Sequence, residues 1–458
     1  MPTPLDVLVI GSGQAGVPLA TRLAATGRSV ALVERGQLGG TCINAGCTPT
    51  KTMIASARAA QVARGAGRLG VRAGEVAVDL GAVVARKEAI VARWRAGVAG
   101  RLEAAGPRLR VVTGAARFVG PREIRVGEER LAAPVVVVNV GARPSVPPLP
   151  GLDRIHFLTS TGALALRELP GHLLVLGGGY VGCELGQMFR RFGAAVTVVD
   201  PNPHLLSRED EDVSGALEEA LRGEGMALAL SARAEAVEGG PGSIRVRLPG
   251  GAVEGTHLLV ATGRRPNTDD LGCEAAGIAL DEKGFIRVDA GYRTSAEGVY
   301  AVGDVTGGPQ FTHSAWDDHR ILLDLLLGSG TRTRADRLVP HVVFTDPQVG
   351  VVGLTEREAR ARGVAHEVAR LPFGQVARAI EVDETRGLMK LLVDPRDERI
   401  LGAAVVGAEG GELVHVLAVL MQAGAGARAL VDLEMAHPTF CEGLQSLAMT
   451  LPRYRLRP

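Results

Sequence analysis

A glycine-rich turn between an apolar strand and a helix occurs twice in this chain and limits the folds open to it. The first copy, LDVLVIGSGQAGVPLA, begins at Leu5, and the second, HLLVLGGGYVGCELG, begins at His172. Each is followed by a second apolar strand ending in an acid, Glu34 or Asp200, 23 positions after the first glycine of its turn. This order of strand, turn, helix and strand is typical of dinucleotide-binding half-folds. The sequence therefore predicts an α/β protein with two such units.

Three glycines in each turn are spaced as G-x-G-x-x-G. Glycine accounts for 61 of the 458 residues, so this spacing alone arises easily by chance. The prediction depends instead on the position of each glycine turn between a strand and a helix. We expect the first glycine to permit the tight turn, the second to let the backbone approach a pyrophosphate, and the third to let helix and strand pack closely (Gly11, Gly13, Gly16 and Gly177, Gly179, Gly182). The pyrophosphate then lies at the helix N-terminus, and Glu34 or Asp200 accepts a hydrogen bond from a ribose hydroxyl. The alternative is two ordinary βαβ units with glycine-rich loops.

The composition argues against several other classes of protein. Lysine and arginine total 51 against 50 aspartates and glutamates, and a net charge of +1 argues against nucleic acid or a membrane surface as a partner. Hydrophobic residues at 46% and charged residues at 22% are typical of a globular protein. The longest apolar stretches, such as Ala132 to Val140, are far shorter than the roughly 18 residues of a membrane span. With no recognisable targeting segment after Met1, we expect a cytoplasmic protein.

Two breaks rich in glycine and proline divide the chain. The segment Gly141 to Gly151 is predicted to be a linker because its prolines cannot continue a strand or helix, and a second break spans Ala261 to Gly272. From about Val339 the pattern changes to strands followed by helices, which indicates a separate α+β domain. We therefore predict three domains: residues 1–145 with 272–335, residues 146–271, and residues 336–458.

Two of the five cysteines lie close together in the segment GGTCINAGCTPTK, directly before a predicted helix. Thr48 suits the N-cap of that helix and Pro49 its first position. The partial positive charge of the helix N-terminus should lower the pKa of the Cys47 thiol and favour its thiolate. No C-x-x-C, H-x-H or H-E-x-x-H spacing supplies further zinc ligands. We therefore favour a redox disulfide between Cys42 and Cys47 over a metal site, with two unrelated buried thiols as the alternative.

These motifs occur in the order found in one known family. GGTCINAGCTPTK, the two glycine turns, YAVGD (ending at Asp304) and HPTFCE (beginning at His437) resemble the class I pyridine nucleotide–disulfide oxidoreductases. That family includes dihydrolipoamide dehydrogenase, mercuric reductase and glutathione reductase, and the resemblance covers essentially the whole chain. It implies two Rossmann-like FAD- and NAD(P)-binding domains followed by an α+β C-terminal dimerisation domain.

The resemblance also implies where two cofactors bind. FAD would be held by the first glycine turn, with Gly303 and Asp304 against its ribitol and phosphates, and NAD(P)H would be held by the second turn. Gly141 and Gly263 are assigned to the cofactor sites on the same basis.

By the same resemblance, Cys47 faces the flavin as a thiolate and Cys42 exchanges with the substrate. Lys51, one helical turn beyond Cys47, approaches the flavin ring and pairs with Glu184 of the second domain.

The C-terminal motif supplies the proton chemistry. A thiol-exchange enzyme needs a base that titrates near neutral pH, and histidine is the side chain that does so. By resemblance His437 is that base and Glu442 orients it, although Thr439-x-x-Glu442 also fits a capping box for the following helix. His437 is nearly 400 positions from Cys42, and the family solves this with a twofold dimer in which each subunit lends its histidine to the other. We therefore expect a homodimer with shared active sites.

The nicotinamide cofactor is expected to be NAD(H) rather than NADP(H). Asp200 favours a free 2′-hydroxyl because a 2′-phosphate would meet a like charge, and no arginine occurs between Asp200 and Arg208. Tyr180, within the second turn, either covers an empty nicotinamide pocket or packs against the flavin domain.

Several segments bear on the electron acceptor. After Cys47 the sequence is TPTK rather than the IPSK common in dihydrolipoamide dehydrogenase, and GGPQFTHSAWDDHRI resembles the mercuric-reductase branch. Mercuric reductases, however, end in a vicinal cysteine pair, whereas this sequence ends in LPRYRLRP and shows no N-terminal metal-binding motif. We expect a mercuric-reductase-like enzyme acting on a small disulfide or a metal ion. The alternatives are dihydrolipoamide dehydrogenase docked on a lipoyl-bearing protein, and a flavin-bearing sensor without turnover.

Overall fold

The computed structural model describes residues 4–328 and 330–454. Contacts divide the chain into two compact units: Met1–Thr52, Val84–Ser145 and Gly263–Arg337 in the first, and Met53–Val83, Val146–Thr262 and Leu338–Pro458 in the second. The outer bounds of the predicted domains, at residues 1 and 458, lie outside the described residues. The division into three domains stays a prediction.

The first unit contains a parallel sheet of five strands. Its strands, in spatial order, are Val299–Ala301, Val135–Val138, Val7–Ile10, Val30–Glu34 and Leu109–Thr113. Both faces of a parallel sheet are covered, which explains why its three inner strands consist almost entirely of valine, leucine and isoleucine.

Successive residues of the central strand point to opposite faces of this sheet. Val7 and Val9 pack in the same cluster as Leu19 of the helix Gly16–Ala25, whereas Leu8 and Ile10 pack in the cluster on the other face. The helices Gly40–Asn44 and Thr312–Leu327 also lie in this unit, the helix Cys47–Gly65 begins here, and the helix Leu80–Ala104 belongs to it from Val84 onward. A small antiparallel sheet is formed by Ala116–Gly120, Glu123–Val126 and Glu129–Ala132.

The predicted linker is not wholly irregular. Within it, Ala142–Pro144 forms a short antiparallel pair with Arg264–Pro266, a strand that lies within the second predicted break. The prediction that this segment lacks a strand was therefore wrong at these three residues. Prolines are tolerated because this ribbon has only two strands, so each proline can lie at an edge where no amide is needed for pairing.

The second unit begins with another parallel sheet. Its strands, in spatial order, are Ala227–Ala229, Ala195–Val199, His172–Leu176 and His257–Val260. The helix Tyr180–Phe192 follows its glycine turn as predicted, and Ser160–Ala163 and Glu211–Gly223 are also helical. A three-stranded antiparallel sheet is formed by Ala236–Gly240, Ser243–Leu248 and Gly251–Gly255.

The C-terminal part of the second unit is an antiparallel sheet covered by helices. Its strands, in spatial order, are His341–Val343, Gln348–Gly353, Ile400–Gly407, Leu388–Val393 and Glu367–Pro372. The accompanying helices are Glu356–Ala361, Ala377–Glu381, Gly410–Gln422, Arg428–Asp432 and Glu442–Met449. The predicted fold class, two Rossmann-like parts and an α+β C-terminal part, is confirmed. In the described part of the chain, no helix combines the length and apolarity needed to cross a membrane.

Candidate active site

The first glycine turn is closed tightly against the residue after the strand Val135–Val138. Gly11 has a φ of +103°, and a Cβ there would lie 2.3 Å from the carbonyl oxygen of Asn139. A Cβ at Gly16 would lie 2.0 Å from the carbonyl oxygen of Gly11, and one at Gly13 would lie 3.1 Å from the Asn139 side-chain nitrogen. Glycine is therefore required at Gly11 and Gly16, and the bare main chain at this helix N-terminus fits a pyrophosphate.

Glu34 stabilises the first turn through three hydrogen bonds. Its Oε2 accepts hydrogen bonds from the amide and hydroxyl of Ser12 at 2.9 and 2.6 Å, and its Oε1 accepts one from the Gly36 amide at 2.8 Å. A carboxylate offers about four lone-pair positions, so these three bonds leave capacity for a ribose hydroxyl. That last contact stays a prediction.

The second turn repeats this arrangement. Gly177 has a φ of +107°, and a Cβ there would lie 2.5 Å from the Ala261 carbonyl oxygen; one at Gly182 would lie 1.9 Å from the Gly177 carbonyl oxygen. A Cβ at Gly179, by contrast, would meet no described atom within 4 Å. The open side at Gly179 fits the approach of a second pyrophosphate to the helix that begins at Tyr180.

Asp200 corresponds to Glu34 in this second turn. Its Oδ2 accepts the Gly178 amide at 2.6 Å, while its Oδ1 accepts the backbone and side-chain amides of Asn202, each at 2.8 Å. In both turns, then, the acid at or directly after the end of the second strand accepts a hydrogen bond from the amide of the residue after the first glycine. The residues present fit two dinucleotides.

Cys42 and Cys47 are neighbours in the first unit. Cys42 lies in the helix Gly40–Asn44, Cys47 begins the helix Cys47–Gly65, and both are free thiols. A hydrogen bond with Cys47, burial and the charge of Cys47 raise the pKa of Cys42 far above its usual range, whereas Thr312 and Lys51 act to lower it. Cys47 Sγ also lies 3.1 Å from the Thr312 hydroxyl oxygen. The Cys42 thiol therefore gives up its proton with difficulty while Cys47 is beside it.

The start of this helix differs slightly from the prediction. It begins at Cys47 itself, so Thr48, predicted as the N-cap, lies inside the first turn. Pro49 is tolerated there because the amides of the first turn have no intrahelical acceptor. The Cys47 thiol therefore belongs to the first helical residue, where the helix dipole still favours a thiolate.

Gly303 and Asp304 form a 3₁₀ turn, Gly303–Thr306, directly after a strand of the parallel sheet. Burial raises the pKa of Asp304; Arg264, whose guanidinium nitrogen is 3.4 Å from Asp304 Oδ2, acts to lower it, and Asp318 acts to raise it. Asp304 is therefore a half-buried acid at the carboxyl end of the parallel sheet, where such folds bind their ligands.

Gly141 and Gly263 lie where the two short strands of the antiparallel ribbon begin. Gly141 has a φ of +67° and accepts the Asn267 amide at 3.1 Å, and Gly263 has a φ of +125° and accepts the Ser145 amide at 2.9 Å. Both positions need glycine for their backbone conformation, and contact with a cofactor stays a prediction.

His437 and Glu442 are in contact in the second unit. His437 Nδ1 lies 2.8 Å from Glu442 Oε2, and the Thr439 hydroxyl accepts the Glu442 amide at 3.2 Å. The following helix begins at Glu442 itself, with Cys441 as its N-cap and no side-chain cap, so the predicted capping box is not formed and the Glu442 carboxylate is turned toward the imidazole instead. The His437 side chain is 69% exposed, so it is available to another subunit.

The remaining candidates are placed as follows. Lys51 lies in the helix that begins at Cys47. Glu184 is buried, and its Oε1 accepts the Phe344 amide at 2.9 Å. The pairing of Lys51 with Glu184 stays a prediction. Among the residues that the structure describes, no group of three or more His, Cys, Asp or Glu side chains is placed to hold a metal ion.

Tyr180 has two contacts within its own unit. Its hydroxyl donates to Glu209 Oε1 at 3.1 Å, and its ring stacks on His341 with centroids 5.7 Å apart.

Two residues of this site were missed in the sequence. Thr312 is 265 positions from Cys47, and nothing in its local sequence marks it as a thiol partner. Asn139 did carry a signal, because it is a polar residue directly after the buried run Val135–Val138, and the carboxyl ends of parallel strands are where such folds bind ligands.

Comparison with known proteins identifies the class. Residues 5–318 match the family model described as pyridine nucleotide-disulphide oxidoreductase, and residues 339–448 match the dimerisation domain of the same family. The chain belongs to the pyridine nucleotide–disulfide oxidoreductases, which are FAD-dependent flavoprotein enzymes that use NAD(P)H. The dimerisation domain supports a homodimer.

Three relatives in this family are similar to the chain over nearly its full length. The chain is 37% identical over 450 residues to the probable pyridine nucleotide-disulfide oxidoreductase RclA of Escherichia coli, covering 96% of this chain and 98% of RclA. It is 35% identical to a Staphylococcus aureus mercuric reductase (98% and 82% covered) and 37% identical to a Thermus scotoductus dihydrolipoyl dehydrogenase (97% and 97%). A solved Cu(II) complex of the HOCl-induced flavoprotein disulfide reductase RclA from E. coli superposes with a TM-score of 0.89 at 36% identity, covering 97% of this chain and 99% of that one.

Proposed function

We propose that this enzyme takes two electrons from NADH and passes them through Cys42 and Cys47 to an external acceptor. The observation that carries the proposal is the pair of neighbouring thiols: a hydrogen bond with Cys47 raises the pKa of Cys42, and Cys47 is itself within hydrogen-bonding distance of Thr312. FAD, when bound, supplies the two-electron carrier between the nicotinamide and the sulfurs. We assign it to residues 1–145 with 272–335, the nicotinamide to 146–271 and the subunit contact to 336–458.

The cysteines have separate tasks in this proposal. Cys47 is the thiolate that lies against the flavin, because it begins the helix Cys47–Gly65, whose N-terminus favours a thiolate. Cys42, whose proton is held more tightly, attacks the acceptor once a base has removed that proton. Reduction of the disulfide takes up two electrons and two protons and yields two thiols; reaction with the acceptor reverses both.

The base is assigned to the partner subunit's His437. Glu442 accepts a hydrogen bond from Nδ1, which leaves Nε2 to take the proton from Cys42 and stabilises the imidazolium that results. Lys51 and Glu184 are proposed to form the ion pair beside the flavin ring that the family resemblance implies.

NADH is the proposed electron donor. Asp200 is fixed by three hydrogen bonds, so its charge stays where a 2′-phosphate would otherwise approach.

The proposed acceptor is a metal ion or a small disulfide, as in a mercuric-reductase-like enzyme. Likeness to RclA, whose solved structure is a Cu(II) complex, makes Cu(II) a second metal to test beside Hg(II). Dihydrolipoamide dehydrogenase is the alternative, favoured by the 37% identity to the Thermus enzyme over nearly the full length of both chains.

Anaerobic titration with NADH tests the electron path. We expect a long-wavelength thiolate–flavin absorbance band in the wild type, its loss with bound FAD retained in Cys47→Ser, and its persistence in the matched variant Cys42→Ser. A band retained in Cys47→Ser contradicts the assignment of the sulfurs, and a colourless wild-type protein without extractable flavin overturns the proposal.

Turnover with Hg(II), Cu(II), small disulfides and dihydrolipoamide with NAD then ranks the acceptors. Fast lipoamide turnover, with slow metal reduction, would reverse the order of the two candidates.

A further inference from the structure

Asp318 is a buried acid that the proposed reaction does not use. It lies in the helix Thr312–Leu327 and is 3% exposed. Its Oδ2 accepts the Gly303 amide at 2.6 Å, and its Oδ1 accepts the Tyr292 hydroxyl at 2.5 Å and pairs with the guanidinium of Arg337. Tyr292 is completely buried, and Arg337 is nearly so.

The contacts of this cluster fix the position of one backbone amide, that of Gly303. A buried carboxylate is unfavourable unless it is paired and hydrogen-bonded, and here Arg337 supplies the pairing while Tyr292 supplies a second donor. The remaining oxygen is thereby fixed for Gly303. Gly303 has a φ of +74°, and a Cβ there would lie 3.0 Å from Asn139 Oδ1, so the turn is also closed on its other side.

Asp318 therefore controls the start of the turn that carries Asp304. Because Gly303 and Asp304 are consecutive, a shift of the Gly303 amide moves the Asp304 carboxylate directly. The Asp318 charge also acts on Asp304, whose pKa it helps to raise.

We propose that Asp318 is a positioning residue for FAD binding, which fixes the Gly303 amide through the Tyr292 and Arg337 contacts and thereby sets the place of Asp304. This rests on the proposed function only in assigning Gly303 and Asp304 to FAD.

Asp318→Asn tests the proposal against the matched neighbour Asp317→Asn. Asp317 lies on the same helix but pairs with Arg320 and Arg332 near the surface. FAD is removed from each protein, and the dissociation constant for added FAD is measured by flavin fluorescence. We expect the affinity to fall about tenfold or more in Asp318→Asn, as for loss of a charge-assisted hydrogen bond, and to change less than about twofold in Asp317→Asn. Unchanged affinity in Asp318→Asn overturns the proposal.

A double-mutant cycle separates positioning from general destabilisation. If Asp318 acts through Asp304, the effects of Asp318→Asn and Asp304→Asn on the FAD dissociation constant are strongly non-additive. Additive effects, or a loss of affinity that merely follows a lower melting temperature of the apoprotein, contradict the proposal.

Should Asp318→Asn fail to fold, Tyr292→Phe weakens the same cluster without removing its charge. It is expected to lower FAD affinity several-fold with the apoprotein folded, and unchanged affinity counts against the proposal. A wild type that binds no FAD would instead refute the proposed function, so the two failures are distinguishable.

Discussion

Cys47 Sγ lies 3.1 Å from the Thr312 hydroxyl oxygen, although 265 residues separate them in the chain. The hydroxyl that begins the helix Thr312–Leu327 therefore meets the first residue of the helix Cys47–Gly65. A hydroxyl that donates to a thiolate stabilises the charged form.

Thr312→Val should therefore make the Cys47 thiolate harder to form. We expect the pH at which the thiolate–flavin band of the reduced enzyme is half developed to rise by about one unit, the order expected for one hydrogen bond to a charged group. Thr312→Ser retains the hydroxyl and should stay close to wild type. Equal behaviour of the serine and valine variants in this pH titration would show that the hydroxyl has no such effect.

Glu442 should matter for turnover more than for stability. Glu442→Gln removes the charge beside His437 but keeps a side chain of similar size, and we expect kcat with the acceptor to fall about tenfold to a hundredfold. Thr439→Ala removes the hydroxyl that accepts the Glu442 amide and donates to the Ala436 carbonyl but keeps the carboxylate beside His437, so it should lower the melting temperature slightly and leave kcat nearly unchanged. Stopped-flow kinetics of dithiol reoxidation is the measurement. A larger kcat loss in Thr439→Ala than in Glu442→Gln would mean that the Glu442 charge does not govern turnover.

The charge of Asp200 should determine whether the enzyme prefers NADH or NADPH. Asn202→Arg places a positive charge two residues beyond Asp200 and should raise kcat/KM for NADPH about tenfold while lowering the value for NADH. Asn202→Gln is the matched control, and its preference should stay with NADH. A wild type that already prefers NADPH would contradict the assignment.

The local parts of this fold were predictable from sequence because they depend on neighbouring residues. The first glycine turn, the helix Tyr180–Phe192 and the strand ending at Glu34 follow from apolar runs, glycine spacing and a terminal acid. The contact of His437 with Glu442 also spans only five positions. The pairing of Ala142–Pro144 with Arg264–Pro266 was missed because it joins two proline-containing segments far apart in the chain.

The same difference between local and long-range contacts holds at the candidate active site. Cys42 and Cys47 were found from their spacing, whereas Thr312 and Asp318 act through contacts that the fold creates between distant elements. Thr312 is an unremarkable residue in its own segment, and Asp318 is one of two adjacent aspartates of which only one is buried deeply. Sequence patterns do not distinguish these two acids, since burial of one depends on the packing of Tyr292 and Arg337 against it.

Lys390 holds together a buried cluster of acids in the second unit. It is 1% exposed and lies 2.9 Å from Asp210, 2.9 Å from Asp212 and 2.7 Å from Glu356. Lys390→Met should lower the free energy of unfolding at pH 7 by about 3–5 kcal/mol, because Asp210 loses its cation while Asp212 and Glu356 keep only Arg370 and Arg360. Urea unfolding measures it, and Arg245→Met, in an ion pair with Glu254 whose two side chains are both largely exposed, should leave the midpoint nearly unchanged.

The pH dependence of this cluster has a definite sign. Burial acts to raise the pKa of Asp210, Asp212 and Glu356, but hydrogen bonds that include those from Lys390 hold all three below their usual values. Their contribution is therefore present above the unfolded pKa values near 4 and is lost as the pH falls through the folded ones. The wild-type advantage over Lys390→Met should shrink below about pH 4, and a gap that stays constant there would contradict this account.

His319 should make the protein sensitive to mild acid. It is fully buried, its ring packs edge-on against Trp316 with centroids 4.6 Å apart, and burial lowers its pKa to about 4. Because the unfolded chain binds this proton near pH 6.5 and the folded chain only near 4, stability falls as the pH drops between those values, by at most about 1.4 kcal/mol per unit. In melting curves from pH 7.5 to 5, His319→Leu should flatten this decline, whereas His156→Gln, at an exposed position, should follow the wild type. Parallel declines in all three proteins would mean that other groups govern the loss.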